Sequence, residues 1–157
     1  MNQLIIAIFS NEAQAYEVAG VLESSGDPVS MAVRGVAVIV KHPDGKVSEQ
    51  KWASRLPFRA PIGALVGALI GAPVGLIGSA IGFAAGGFIG FTRDLANFGV
   101  EESFFDEVAA QLTPGKSALV IEVPEDATAP LEARLRELSA TVMHAALKSE
   151  EKPSAAT

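Results

Sequence analysis

The chain has 157 residues, 49% of them hydrophobic, and 12 Lys and Arg against 18 Asp and Glu, which gives a formal net charge of −6. That acidic balance, with a pI near 4.9, argues against a nucleic-acid binder, because contact with phosphates needs a basic face. The absence of cysteine excludes disulfides, thiolate catalysis and Cys-based metal sites, and fits a reducing compartment.

At the N-terminus, MNQLIIAIFSNEAQA lacks the basic n-region and long h-region of a signal peptide, so LIIAIF (4–9) reads as a buried strand. SNEAQ then opens a helix, with Asn11 as cap and Gln14 three residues on, as in a capping box. Ala15, Tyr16, Ala19 and Leu22 are expected on its inner face, and SSGDP (24–28) ends it. GVAVIVKH (35–42) is the next strand, PDG (43–45) a turn, and KVSEQKW (46–52) a short hairpin partner.

Residues 61–91, PIGALVGALIGAPVGLIGSAIGFAAGGFIGF, contain nine glycines and no charge, and account for much of the mean hydropathy of +0.33. Gly63, Gly67, Gly71 and Gly75 recur every four residues; after a step of three to Gly78, Gly82, Gly86 and Gly90 resume the spacing. At 3.6 residues per turn this keeps the glycines on one slowly drifting helical stripe, which lets two backbones approach closely. Leu65, Val66, Leu69 and Ile70 fill the opposite side of the first half. A flexible linker would be polar, and this run is not.

A single straight helix over 62–91 would be about 45 Å long, but Pro73 forbids regular helix there. If the flanking halves share one sheet, both ends of the insert lie on the same side. The block is therefore expected to turn back near Pro73, with arms of about 18 Å (62–73) and about 27 Å (74–91). The first arm is too short for a hydrocarbon core of about 30 Å. Either a shallow membrane hairpin or a core buried between subunits satisfies this. Arg55, Arg59 and Arg93 flank the block and suit a cytoplasmic face. Trp52 and Phe58 suit either an interfacial anchor or packing beneath the hairpin.

After the block, EESFFDEVAAQL (101–112) puts Phe104, Phe105, Val108, Ala109 and Leu112 on one helical face. ALVIEV (118–123) is a strand. A helix is expected to start near Thr128 with Pro130 in its first turn, sending Leu131, Leu135 and Leu138 inward. TVMHAAL (141–147) is a last strand, and 149–157 a polar tail.

The two ends share one plan of strand, acidic helix start, helix and strand. The expectation is an α+β, ferredoxin-like split βαβ sandwich of order 4-1-3-2 with an inserted glycine-zipper helical hairpin. Its parts are 1–56 (first βαβ unit plus hairpin strand), 57–99 (insert), 100–148 (helix plus second βαβ unit) and 149–157 (tail). Both alternating sets of LIIAIF are apolar, so something must cover the second sheet face. The candidates are a partner subunit's sheet, which favours a homo-oligomer, the 101–112 helix, or the glycine block.

No chemistry stands out. TPGKS (113–117) has Ala110 where a phosphate loop needs glycine, and it leaves a helix to enter a strand, so it is a turn. His42 and His144 are expected on opposite edge strands. Glu101, Glu102, Asp106 and Glu107 suit a helix's N-terminal dipole, and Arg93 with Asp94 is read as a boundary pair. No catalytic, cofactor or metal residue is assigned, and no enzyme is expected.

The order of parts resembles one bacterial family. SNEAQAYEVAGVLE, GVAVIVKHPDGKV, the glycine zipper, FFDEVAAQLTPGKSALVIEV and TVMHAALKSEE are similar to the domain-of-unknown-function twelve-sixty-nine family over nearly the whole chain. The resemblance implies membrane association or a stress-related role, and supplies no activity. The expected function is a self-assembling protein on the cytoplasmic side of the inner membrane, with itself and the lipid bilayer as partners. Two alternatives stay open: a soluble cytoplasmic homo-oligomer with the hairpins as shared core, and a small-molecule-binding regulatory module.

Overall fold

Residues 2–50, 60–71 and 96–148 are described by a computed structural model. Among them, five strands form one antiparallel sheet: β1 (Asn2–Phe9), β2 (Gly35–Lys41), β3 (Val47–Gln50), β4 (Ser117–Pro124) and β5 (Thr141–Ala146). Their order is β3-β2-β4-β1-β5. The two longest apolar runs outside the glycine block, β1 and β4, pair along their full length, from Asn2 opposite Pro124 to Phe9 opposite Ser117. The hairpin strand β3 joins beyond β2, so β2 is an interior strand.

Five helices accompany the sheet among the described residues: α1 (Gln14–Ser25), α2 (Pro28–Met31), α3 (Ala60–Gly71), α4 (Glu102–Gln111) and α5 (Glu125–Glu137). Strand alternation divides the core in two. Ile5, Ala7 and Phe9 of β1, with Leu119, Ile121 and Val123 of β4, pack against Ala15, Ala19 and Leu22 of α1 and Leu131 and Leu135 of α5. On the other face Leu4, Ile6 and Ile8, with Ala118 and Val120, pack against Ile62, Leu65 and Leu69 of α3 and Phe105, Val108 and Leu112 near α4. The second face is thus covered by this chain's own helices. That corrects the preferred explanation of a partner subunit's sheet and selects the other two candidates together.

Local chemistry fixes the helix ends. Asn11 Oδ1 accepts from the amides of Ala13 (3.1 Å) and Gln14 (2.8 Å), so Asn11 does serve the start of α1. The reciprocal half differs from a capping box: Gln14 Oε1 accepts from the Asn11 side chain, and Gln14 Nε2 donates to the carbonyl of Leu138. The hydroxyl of buried Ser117 accepts from the Ala15 amide at 3.1 Å and donates to the Asn11 carbonyl at 2.6 Å, so β4 supplies a cap in trans.

Two expectations are corrected. On α1 Val18, three residues from Ala15 and four from Leu22, faces inward, and Tyr16 is 44% exposed. Helix α5 begins at Glu125, three residues before Thr128, so Pro130 stands inside it and Leu138 falls past its end, 39% exposed. The segment after Gly26 forms the additional turn α2, whose N-cap Asp27 accepts from the Ser30 amide and whose first residue is Pro28. Gly26 ends α1 with φ 66, a left-handed conformation that glycine adopts without a Cβ penalty.

Candidate functional site

The glycine block enters the fold as α3, APIGALVGALIG, with no polar side chain. Its aliphatic side is spent on the sheet: Ile62 and Leu65 are fully buried, Leu69 nearly so, and the helix lies against β2, β3 and β4. Val66 was expected on the side away from the glycines, and it too is buried. Gly63 and Gly67 are half-buried, and Gly71 is the last residue of α3. The first arm therefore carries a leucine side held by the sheet and a glycine side that is less completely covered. Gly75, Gly78, Gly82, Gly86, Gly90, the turn at Pro73 and the flanking Arg55, Arg59 and Arg93 lie outside the described residues. So do Trp52, Phe58, Asp94, the second arm and the tail. Among the described residues, no helix is long and apolar enough to cross a membrane.

The polar clusters are ties between elements that sequence reading did not pair. His42 follows β2 and meets Ser48 of β3 (Nε2 to Oγ, 2.6 Å) and Glu12 (Nδ1 to Oε1, 3.5 Å). This is the order of nucleophile, base and orienting carboxylate. The His42 and Glu12 side chains are 41% and 44% exposed overall, although the Glu12 Oε1 that faces His42 is itself buried. The three residues bind the β2–β3 hairpin to the entrance of α1. His144 lies on the outer strand β5 and contacts Glu132 of α5, whose other oxygen is 3.5 Å from Arg136. The width of the sheet separates the two histidines. Among the described residues, no three His, Cys, Asp or Glu side chains are grouped to hold a metal ion.

ALVIEV was read as an apolar run, yet its Glu122 is a buried carboxylate, 2% exposed. Asn2 Nδ2 donates to it at 2.8 Å across the β1–β4 pair. TPGKS is a turn: the Gly115 amide donates to Lys41, φ at Gly115 is +87°, and Ser117 enters β4.

Asp27 joins α2 to α5. Arg134 Nη1 donates to its Oδ2 at 2.8 Å, the Ser25 hydroxyl donates to the same oxygen, and the Ser30 amide donates to Oδ1 at 3.0 Å. The guanidinium above all, then these donors, holds the Asp27 carboxyl well below the usual carboxylate range. A depressed folded-state pKa stabilises the fold above the unfolded value, and that contribution is lost as pH falls toward the folded one. Arg134→Ala is therefore expected to melt below wild type at neutral pH. The difference should shrink as the pH is lowered below about 4, where unfolded Asp takes up its proton. Thermal melts of both proteins across that range measure it; a gap that widens on acidification would contradict the pairing.

Geometry and sequence together define an α+β protein in which one sheet carries the opening helix of a glycine-repeat block. The chain belongs to the family described as "Protein of unknown function (DUF1269)", whose model matches residues 60–155. The match begins at α3 and runs through α4, β4, α5 and β5, whereas the resemblance read from sequence extended over nearly the whole chain. No curated protein and no solved structure matches.

Proposed function

We propose that this is a non-enzymatic, membrane-associated protein that self-assembles through its glycine block, carried on a ferredoxin-like split βαβ domain. The observation that carries the reading is the two-sided character of α3. Its aliphatic residues Ile62, Leu65 and Leu69 hold the sheet, while Gly63 and Gly67 leave a narrow strip along which another helix of the block can approach. The remaining glycines, through Gly90, repeat that strip along the chain. Assembly then multiplies weak individual membrane contacts by avidity. The arginines at 55, 59 and 93 suit a cytoplasmic face on both flanks, which supports the inner-membrane location in this reading.

A second reading, a soluble homo-oligomer whose glycine hairpins form a shared core, is favoured by the burial of α3 against its own sheet. Alkaline carbonate extraction of cell membranes followed by flotation separates the two. Under the first reading the protein floats with lipid after extraction. Release into the supernatant would sink that reading and leave the soluble particle.

A further inference from the structure

Strand alternation gathers three polar side chains on the α1 face at one end of the sheet. Val36 and Val38 of β2 pack toward α1, so Val40 and His42 follow on the same side. Ser48 pairs with Val40 across the β2–β3 ladder, which makes it the diagonal neighbour of His42 on that face. Glu12 arrives from the entrance of α1. The hairpin does not need these side chains to close, because the His42 amide donates to Lys46 and the Gly45 amide donates to His42, each at 2.8 Å.

The donors and acceptors set a direction. Glu12 Oε1 is shut off from water and makes no hydrogen bond among the described residues, and His42 Nδ1 stands 3.5 Å from it. A carboxylate accepts only, so the neutral imidazole settles with its proton on Nδ1, toward that oxygen. Nε2 is then a bare lone pair 2.6 Å from Ser48 Oγ, and the hydroxyl donates to it. An O–H aimed at an imidazole that a third group orients has its base in place for nucleophilic attack. Ser48 and His42 are only half-buried, which leaves them within reach of a reactant in solution.

We propose that Ser48 is a nucleophilic hydroxyl that takes an acyl group from an activated carboxylic ester, with His42 as its base and Glu12 positioning His42. Ser48 Oγ bonds to the ester's carbonyl carbon and its proton passes to Nε2. The bond to the leaving oxygen breaks, and that oxygen takes the proton, giving an O-acyl serine and a free alcohol. An uncharged donor suits the place, since Glu12 and the net charge of −6 repel a phosphoryl donor. One covalent event per chain is required, so the proposal stands beside the glycine-block reading and concerns the sheet face opposite α3.

An alkyl fluorophosphonate is the stable probe: an Oγ–P bond forms as fluoride leaves, and the adduct survives digestion for mass mapping. In the full chain Ser48 is expected to be labelled about a hundredfold faster than the exposed Ser103, a comparison within one molecule that needs no variant. His42→Gln, checked for an unchanged circular dichroism spectrum, should bring Ser48 down to the Ser103 rate. Glu12→Ala should slow labelling, and Glu12→Gln, which keeps an accepting oxygen, should restore most of it. Acyl transfer itself is followed with p-nitrophenyl acetate, whose p-nitrophenolate release should be faster with wild type than with Ser48→Ala. Labelling of Ser48 no faster than Ser103, labelling unchanged in His42→Gln, or equal p-nitrophenolate release from wild type and Ser48→Ala each overturns the proposal.

Discussion

Leu65→Ala lowers the unfolding free energy of the sheet domain by roughly 2–5 kcal/mol, the cost of losing the buried side chain's transfer energy and leaving a cavity behind. Leu65 is fully buried in the cluster that joins α3 to Leu4, Ile6 and Ile39 of the sheet and to Val108 of α4. Against a total domain stability of about 5–15 kcal/mol, the loss is large enough to see in any denaturant titration. Val21→Ala serves as control, because Val21 is 59% exposed on α1 and should change stability by no more than about 0.5 kcal/mol. The comparison also has functional weight. A first arm seated in lipid would contribute nothing to the sheet, and Leu65→Ala would then unfold at the wild-type denaturant midpoint. A destabilised variant confines the lipid-facing role to the block beyond α3.

What could be read from sequence follows from where the physical signal is local. LIIAIF and ALVIEV announced themselves as central strands because helices cover both sheet faces, which makes every side chain of β1 from Leu4 to Phe9 buried and the run continuously apolar. PDG announced the hairpin because its turn chemistry is contained in three residues, with Gly45 at φ 88. Helix phases were less legible. Asn11 does accept from the Gln14 amide, but the N-cap of α1 is Ala13, and the face through Ala15, Ala19 and Leu22 takes Val18 rather than Tyr16 because helical neighbours recur at three and four residues. Pro130 pointed to a helix start and instead lies in the interior of α5. The pairings that organise the polar surface were out of reach altogether. Asp27 and Arg134 are 107 residues apart, and neither Glu132 with His144 nor Ser117 with Ala15 leaves a trace in spacing. For the candidate site, glycine periodicity located α3 and its leucine side. That this side would be satisfied by the same chain's sheet depends on tertiary packing, which periodicity does not encode.

Replacing Gly67, Gly71, Gly82 and Gly86 together with leucine is expected to abolish assembly and membrane attachment. Leucine is a better helix former than glycine by nearly 1 kcal/mol per site, so the substitutions do not weaken the helices themselves. What they remove is the close approach of backbones, because each added side chain fills the strip that a four-residue glycine spacing keeps empty. The effect is cumulative: an assembly that depends on several weak contacts loses avidity faster than any one contact loses energy. Light scattering after size-exclusion chromatography should show the particle falling to a lower mass, and flotation should show the protein leaving the lipid fraction. The sheet domain gives an internal check, since its leucine-side contacts through Ile62, Leu65 and Leu69 are untouched. Its melting transition should persist. An unchanged particle size together with unchanged flotation would show that the glycine spacing serves neither assembly nor lipid binding, and that the small residues are there to fit α3 and its neighbours around the sheet.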